Sequence, residues 1–370
     1  MRLFSRDDPS SDDELNCGSG GGADTFLPLR IASVFIILVG STFGALFPVL
    51  AKRTRWLDER MPKALFDFVK YFGSGVIIAT AFIHLLDPAL EELGSPCLSE
   101  KWSEYPYALA ICLGSIFMIF IVEIVAFRWG TKKLAKLGVG KIANDDHDIL
   151  AQPQLSALGE KEKSINSGNT DLEINQTPRS LGDIGTNANT HRVQEGERHP
   201  HSGEIVDSAL SQIVGVLILE FGVILHSLLI GLTLAVDPDF KVLFVVIVFH
   251  QTFEGLGVGS RLAHMELPPR FRYVPIWGAL LYAITTPIGI AAGLGVRTTY
   301  NPGSTTASIV SGILDAFSAG ILIYTGMVEL LAHEFLFNRE MIIGSNGKLA
   351  YAIGCMMLGC GIMALLGRWA

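Results

Sequence analysis

The segments IVGVLILEFGVILHSLLIGLTLAV (213–236) and VLFVVIVFHQTFEGLGVG (242–259), separated only by DPDFK (237–241), determine the fold of this chain. Each can cross a bilayer as a helix, because about 20 apolar residues span the hydrocarbon core. The joint is so short that the two helices must form a tight antiparallel hairpin. We number them as predicted spans four and five, at 209–236 and 242–260.

Six further apolar segments have the length and composition of spanning helices. They lie at 31–51, 66–88, 106–127, 274–296, 307–331 and 349–366. Only 17% of the residues are charged, whereas soluble domains contain about 25%. The sequence therefore predicts an all-α polytopic membrane protein with eight transmembrane helices.

The basic residues predict the orientation, because Lys and Arg are retained on the cytoplasmic side. They concentrate in alternate joints, namely those between spans one and two, after span three, and between spans five and six: Lys52, Arg53, Arg55, Arg60, Lys63; Arg128, Lys132, Lys133, Lys136; Arg261, Arg270, Arg272. The other joints are acidic or nearly uncharged. Both termini are therefore predicted to be extracytoplasmic.

This topology divides the chain into four regions. Residues 1–30 form an acidic extracellular tail, 31–130 spans one to three, 131–207 a polar cytoplasmic loop predicted to be disordered, and 208–370 spans four to eight. Cys17 and Cys97 fall on the same oxidising side, where a disulfide and two unpaired thiols are both open. No basic stripe suggests nucleic acid as a partner.

Spans four and five carry ionisable side chains, which are costly in a membrane unless they have partners or face a cavity. His250 and Glu254 are four residues apart and share one helix face. Counted from the joint, His226 and His250 lie at nearly the same depth. Imidazole and carboxylate together suit Zn²⁺, Fe²⁺ or Mn²⁺ better than Ca²⁺, Mg²⁺ or Cu⁺. The alternative is a hydrogen-bonded polar cluster that only joins the two helices.

The blocks HSLLIG (226–231) and HQTFEG (250–255) resemble the paired signatures of the ZIP (Zrt-, Irt-like) metal-transporter family. With the segments GSTFGALFPVL (40–50) and FSAGILIYTGMVELLAHEF (317–335), the chain looks most like the fungal zinc-uptake branch of this family. The resemblance implies His226, His250 and Glu254 as the transport site, with Ser227 and Gln251 at the positions of a second site in bacterial relatives. Bacterial relatives have acidic residues where Ile230 and Thr286 stand here. We therefore expect a single-metal site.

Further polar residues mark a path through the protein. His84 and Asp87, near the outer end of span two, are candidates for metal access. Glu220 is a candidate for release, and the family resemblance implies an exit role for Glu329. His333, four residues after Glu329 and expected on the same face of span seven, is either a further exit residue or a hydrated side chain at the membrane interface. Glu123 in span three is expected to pair with Lys70, if it has a charged partner.

These features predict a secondary transporter for zinc, or alternatively iron or manganese, and the family resemblance implies that it moves the ion into the cytosol. We expect no prosthetic group and no enzymatic activity, with the metal ion and the lipid bilayer as partners. A membrane-embedded zinc hydrolase is the main alternative, although the sequence has no H-E-x-x-H signature; a metal-sensing receptor is the third. The plasma membrane is the expected location, and the oligomeric state stays open, a homodimer included.

Overall fold

The structure, a computed structural model, describes residue 17 and residues 25–136, 202–265, 267 and 269–369. Within these residues every regular element is a helix, which confirms the all-α prediction. The chain forms two units, and the first, residues 1–132 and 206–370, contains the apolar parts of all the spans. Of the second, residues 133–205, only the helical residues 133–136 and 202–205 are described.

Among the described residues, eight helices are long and apolar enough to cross a membrane, as predicted. In chain order they are Leu27–Arg53, Lys63–Leu93, Tyr107–Ala126, Ile213–Val236, Phe240–Ala263, Val274–Val296, Thr305–Leu336 and Asn346–Leu366. Four shorter helices lie in the joints, at Arg55–Arg60, Glu100–Ser103, Pro269–Phe271 and Arg339–Ile343. We keep the names span one to span eight.

The helices around the central loop extend beyond their predicted ends. The third helix runs over Tyr107–Lys136 and the fourth over Ser202–Val236, so both edges of the predicted loop at 131–207 are helical. A hydropathy window marks only the apolar part of a helix and misses a polar continuation. The predicted disorder of residues 137–201 lies outside the described residues.

Spans two and seven contain π-helical segments, at Thr80–Leu86 and Thr325–Leu336. In a π-helix the backbone hydrogen bonds run from residue i to i+5, so each turn takes in an additional residue. Residues five apart then approach the same face. This shift changes which polar side chains of the two spans lie together.

Glycines allow the helices around span five to approach each other closely. A Cβ added at Gly259 would lie 2.2 Å from the carbonyl oxygen of Ala45 in span one, and one added at Gly73 would lie 2.3 Å from the Cα of Gly257. A larger residue at either position would push backbones apart. Small residues at helix contacts are the usual way in which membrane helices pack.

The buried side chain of Arg30 in span one closes the end of span four. Its guanidinium donates hydrogen bonds to the carbonyl oxygens of Leu234, Ala235 and Asp237, at 3.1, 3.0 and 2.7 Å, and lies over the Phe240 ring. The last carbonyls of a helix have no partner within the helix, and a cation there also favours the helix dipole. Arg30 thus fixes the turn between spans four and five.

Cys17 forms a disulfide with Cys97, in the joint between spans two and three. Of the two possibilities left open by the sequence, the structure has the bonded one. The disulfide ties the N-terminal tail to this joint, which is possible because both cysteines are predicted to lie on the same side of the membrane. We call the end of the bundle that holds the Asp237–Asp239 turn the outer end, following the predicted orientation, and the opposite end the inner end.

Candidate metal centre

The hairpin of spans four and five places two histidines at one depth. Span four ends at Val236, ten residues after His226, and span five begins at Phe240, ten residues before His250. At a rise of 1.5 Å per residue, each imidazole is about 15 Å from the turn. That distance is about half the thickness of the hydrocarbon core.

The three predicted ligands converge on one point. The Nε2 atoms of His226 and His250 are 3.3 Å apart, and the Nε2 of His250 is 3.9 Å from the Oε2 of Glu254. One ligand atom from each residue lies within 4.8 Å of the other two, and all three residues are buried. This is the only such group of three or more His, Cys, Asp or Glu residues found in the part of the chain that the structure describes.

The spacing of the two imidazoles suits a tetrahedral zinc ion. Two ligand atoms bonded to such an ion at their usual lengths are about 3.3 Å apart, which is the separation observed here. The Glu254 oxygen is somewhat farther away and would reach the same ion after a small rotation of its side chain. The arrangement provides three protein ligands and leaves a fourth position for water or an exchanging group.

Several polar atoms beside this group have no hydrogen-bond partner among the described residues. They are Ser227 Oγ, both amide atoms of Gln251, His250 Nδ1, Glu254 Oε1 and Thr286 Oγ1. Burying a polar group without a partner costs several kcal/mol in an apolar medium, about 4–8 on transfer to hydrocarbon. Their concentration around the three ligands therefore fits a site that a hydrated cation occupies.

His84 joins this site from span two. Its ring centroid lies 4.7 Å from that of His250, and its Nε2 is 3.0 Å from the carbonyl oxygen of Met363 in span eight. Since a carbonyl only accepts, Nε2 carries the proton and Nδ1 keeps a lone pair. The third imidazole is thus adjacent to the two ligands, deeper than its predicted place at the start of the path.

A cavity of about 660 Å³ leads from the outer end of the bundle to His84 and His226. Its wall includes five carboxylates and one arginine: Glu91, Glu92, Asp237, Asp239, Asp315 and Arg368. A cavity lined mainly by one sign of charge concentrates ions of the opposite sign. The arrangement therefore favours cations on the way to the histidines.

Asp87, the other residue predicted for metal access, is exposed and is not part of the three-ligand group. Glu91 and Glu92 face the cavity in its place. The π-helical segment ends at Leu86, directly before Asp87, and changes the helical phase from there on. A regular α-helix, which the sequence reading assumed, does not contain this shift.

The inner end of span seven also differs from the expected pairing. His333 is exposed, while Glu334 is buried and forms ion pairs with Lys70 at 2.6 Å and Arg261 at 3.4 Å. Arg261 also pairs with Glu329 at 3.4 Å. In the π-helix the partner of Glu329 across one turn is Glu334, five residues on, rather than His333, four residues on.

Two further carboxylates of the interior have defined surroundings. Glu220 is buried six residues before His226, toward the inner end, and neither of its carboxylate oxygens has a hydrogen-bond partner among the described residues. Glu123 accepts a hydrogen bond of 2.5 Å from the Tyr324 hydroxyl. The expected pairing of Glu123 with Lys70 is wrong, because the Lys70 ammonium binds Glu334.

Besides Glu91 and Glu92, the sequence did not single out Tyr282 or Asp315. The Tyr282 hydroxyl of span six lies 2.7 Å from the Gln251 carbonyl oxygen and 3.4 Å from Glu254 Oε2, so it orients the carboxylate. Asp315 lines the cavity from span seven with 9% of its surface exposed. Asp315 could have been found, since an acidic residue inside an apolar span is a functional candidate by itself; a tyrosine in such a span carries no comparable signal.

The chain is similar over most of its length to known transporters. The family model described as ZIP Zinc transporter matches residues 27–367. The chain is 37% identical to zinc-regulated transporter 2 of Saccharomyces cerevisiae, over all of this chain and 99% of that protein. It is 40% identical to zinc-regulated transporter 1 of Schizosaccharomyces pombe, over all of this chain and 92% of that protein, and 33% identical to zinc transporter 3 of Arabidopsis thaliana, over 92% and 84%.

Among the described residues, eight helices are able to span a membrane and one buried group of side chains could hold a metal ion, which are the features of an integral membrane protein of the metal-transporter class. The chain belongs to the ZIP zinc transporter family. The predicted resemblance and transport function are thereby confirmed, and the family supports zinc transport rather than hydrolysis.

Proposed function

We propose that this protein takes up Zn²⁺ into the cytosol as a secondary transporter, with His226, His250 and Glu254 holding the ion midway through the membrane. The observation that carries the proposal is the convergence of these three side chains within 4.8 Å in a member of the zinc transporter family. Three ligands bind the ion, while the missing fourth protein ligand lets it leave.

The path begins in the outer cavity. Its carboxylates attract the ion, and His84, adjacent to both the cavity and His250, passes it to the ligands. On the inner side Glu220 offers a buried carboxylate about 9 Å below His226, and Glu329 lies near the inner end of span seven. Asp87 and His333 are exposed at the two ends and have no part in the proposed route.

The site holds one metal ion. Ser227, Gln251 and Thr286 are buried beside the ligands, yet none of them carries a charge that would neutralise a second divalent cation. Two such ions a few ångströms apart repel each other strongly unless anionic ligands separate them. We assign the neutral side chains to the hydration shell of the single ion.

Zinc is the proposed substrate, and the plasma membrane the proposed location. The chain's similarity to zinc-regulated transporters of two yeasts supports zinc over iron or manganese. The imidazole–carboxylate ligand set accommodates all three ions and does not choose among them. Competition by Fe²⁺ and Mn²⁺ in an uptake assay measures the preference directly.

Zinc uptake into proteoliposomes tests the proposal. We expect saturable accumulation of radiolabelled zinc, reduced to the level of empty vesicles in His226→Ala and in His250→Ala. His264→Ala is the matched control: this imidazole follows span five, binds the Ser260 carbonyl at 2.8 Å and is not one of the three ligands. The control should transport like the wild type.

The same assay separates the alternatives. A zinc hydrolase or a receptor would bind zinc without accumulating it in the vesicle lumen. Wild-type uptake in both histidine variants would show that His226 and His250 do not hold the transported ion, and only the membership in the family would remain.

A further inference from the structure

Arg261 lies on the inward path of the metal, on the same helix as two of its ligands. It belongs to the last turn of span five, seven residues after Glu254, which is about two helical turns and 10 Å farther inward on the same face. Only 21% of its side-chain surface is exposed. A fixed positive charge at this place would by itself oppose a departing cation.

The guanidinium of Arg261 is held by two carboxylates of span seven. One terminal nitrogen lies 3.4 Å from Glu329 Oε2 and 3.3 Å from the Glu329 carbonyl oxygen, and the other lies 3.4 Å from Glu334 Oε1. The planar fork of arginine suits two acceptors at once, which a lysine ammonium does not reproduce. Arg261 is thus the bridging cation of this carboxylate pair.

The pair exists because of the π-helix. Glu329 and Glu334 are five residues apart, the interval that the i to i+5 hydrogen bonds of Thr325–Leu336 bring around one turn. Lys70 neutralises the other oxygen of Glu334 at 2.6 Å. Glu123 adds a third carboxyl group, which interacts electrostatically with Glu329. Glu329 and Glu334 are therefore the two carboxylates that the Arg261 guanidinium and a metal ion moving inward would share.

A transporter must release its ion, and a free pair of largely buried carboxylates on the exit path would retain it. Carboxylate oxygens are good ligands for divalent cations, and burial strengthens the attraction. A guanidinium that already occupies the same oxygens competes with the metal and lowers its effective affinity there. The contacts of Arg261 are long for charge-assisted hydrogen bonds, so the guanidinium can be exchanged.

We propose that Arg261 is a positioning residue for metal release: its guanidinium occupies the Glu329–Glu334 pair at rest, yields to the incoming ion, and displaces it into the cytosol as the pair re-forms. The step is an exchange of cations and involves no covalent change. This proposal rests on the proposed function. It gives Glu329 a resident partner, Arg261, which takes its carboxylate back once the metal ion has passed.

Metal binding to the purified full-length protein tests the exchange, with Cd²⁺ counted by equilibrium dialysis as the probe. Binding at the central site is first removed by His250→Ala. In that background we expect Arg261→Gln to gain one bound Cd²⁺ per chain, with at least tenfold tighter binding at the inner end, and adding Glu329→Gln should remove it again. Arg261→Lys should lie between the wild type and Arg261→Gln. Arg55→Gln, which breaks an exposed ion pair with Glu59, is the matched control and should gain nothing.

Zinc uptake into proteoliposomes gives the second measurement, in chains that keep His250. Arg261→Gln should lower both the maximal rate and the KM for external zinc severalfold, because the ion is retained after the central site and slow release reduces both quantities; Arg261→Lys should recover part of the rate.

A role confined to joining helices predicts something else. Arg261→Gln would then lower thermal stability without gaining a Cd²⁺ ion, or would gain one that persists after Glu329→Gln, and either result overturns the proposal. If Arg261→Gln does not fold, Arg261→Lys decides: binding and rate identical to the wild type also overturn it. The two proposals fail separately, since loss of the uptake function would appear as wild-type vesicles that accumulate no zinc.

Discussion

The outer and inner ends of the path use the same residue type in opposite settings. At the outer end, Asp315 and Glu92 face a cavity, and neither forms an ion pair with another described residue. At the inner end, Glu329 and Glu334 are paired with Arg261 and Lys70. Free carboxylates attract an arriving cation, whereas carboxylates with resident cations are poorly suited to retain one.

The centre differs from both ends, because its three ligands are all buried and no Lys or Arg of the described residues pairs with Glu254. This contrast leads to an ordered set of expectations. Substitutions at the centre should abolish transport, and substitutions at the outer end should alter the apparent affinity for zinc. Substitutions of residues that only hold the helices together should alter the stability of the protein.

The largest effect is expected at Glu254. Glu254→Gln keeps the size of the side chain and the Tyr282 contact but removes the charged ligand. Because outer-sphere partners of metal ligands already contribute 10- to 100-fold, we expect zinc affinity to fall by about 100-fold or more. Isothermal titration with zinc measures it. Glu220→Gln, a buried carboxylate outside the three-ligand group, is the control and should lose less than about tenfold.

The next effect is expected in the outer cavity. Asp315→Asn removes a nearly buried charge that lines the cavity, so the KM for zinc should rise by about 3- to 10-fold at low ionic strength, with an unchanged maximal rate. Added salt should shrink the difference, since screening weakens long-range attraction. Glu104→Gln, in the exposed outer joint, is the control. A fall in maximal rate instead of a rise in KM would contradict an attracting role.

A smaller effect concerns the pH dependence at the outer turn. Burial raises the pKa of the Asp237 carboxyl group; the hydrogen bond that the Asp239 backbone N–H donates to it and the positive charge of Arg30 oppose the rise, while the negative charge of Asp239 adds to it. On acidification Asp237 therefore gains its proton at a higher pH than an ordinary aspartate, and the cavity loses one negative charge. Asp237→Asn has no charge to lose at this position. Between neutral and mildly acidic pH the KM for zinc should therefore rise in this variant by a factor about two times smaller than in the wild type. Identical pH profiles of the two proteins would show that this charge does not attract the ion.

The smallest effect on transport is expected at Arg30. Arg30→Lys loses the fork that joins three carbonyl groups at the end of span four, so we expect uptake within about twofold of the wild type and a Tm lower by about 2–6 °C. Thermal unfolding in detergent measures the shift. Arg55→Lys, at an exposed position, should leave the Tm unchanged.

Hydropathy and the short DPDF joint were sufficient to predict the spans and the common depth of His226 and His250. The inference worked because both helices are regular between the turn and these residues, so counting residues measures depth. The helical spacing of His250 and Glu254 adds the carboxylate, and the family resemblance implies these three residues as the transport site.

The ends of the path could not be predicted in the same way. The face on which Asp87 or His333 lies depends on π-helical segments, which leave no mark in an apolar pattern. In the sequence, Arg261 is only one of the basic residues that predict the orientation. Its contacts with Glu329 and Glu334 depend on how spans five and seven pack, which residue spacing does not show. Sequence spacing thus determines neighbours within a regular helix and fails where the helix changes its pitch.

Anomalous X-ray scattering at the zinc absorption edge, from crystals of the zinc-loaded protein, tests the central claim most directly. We expect one ion, bound by Nε2 of His226, Nε2 of His250 and a carboxylate oxygen of Glu254. Two fully occupied neighbouring ions would contradict the single-metal site. An ion held elsewhere, with these three side chains not bound to it, would contradict the assignment of the transport site itself.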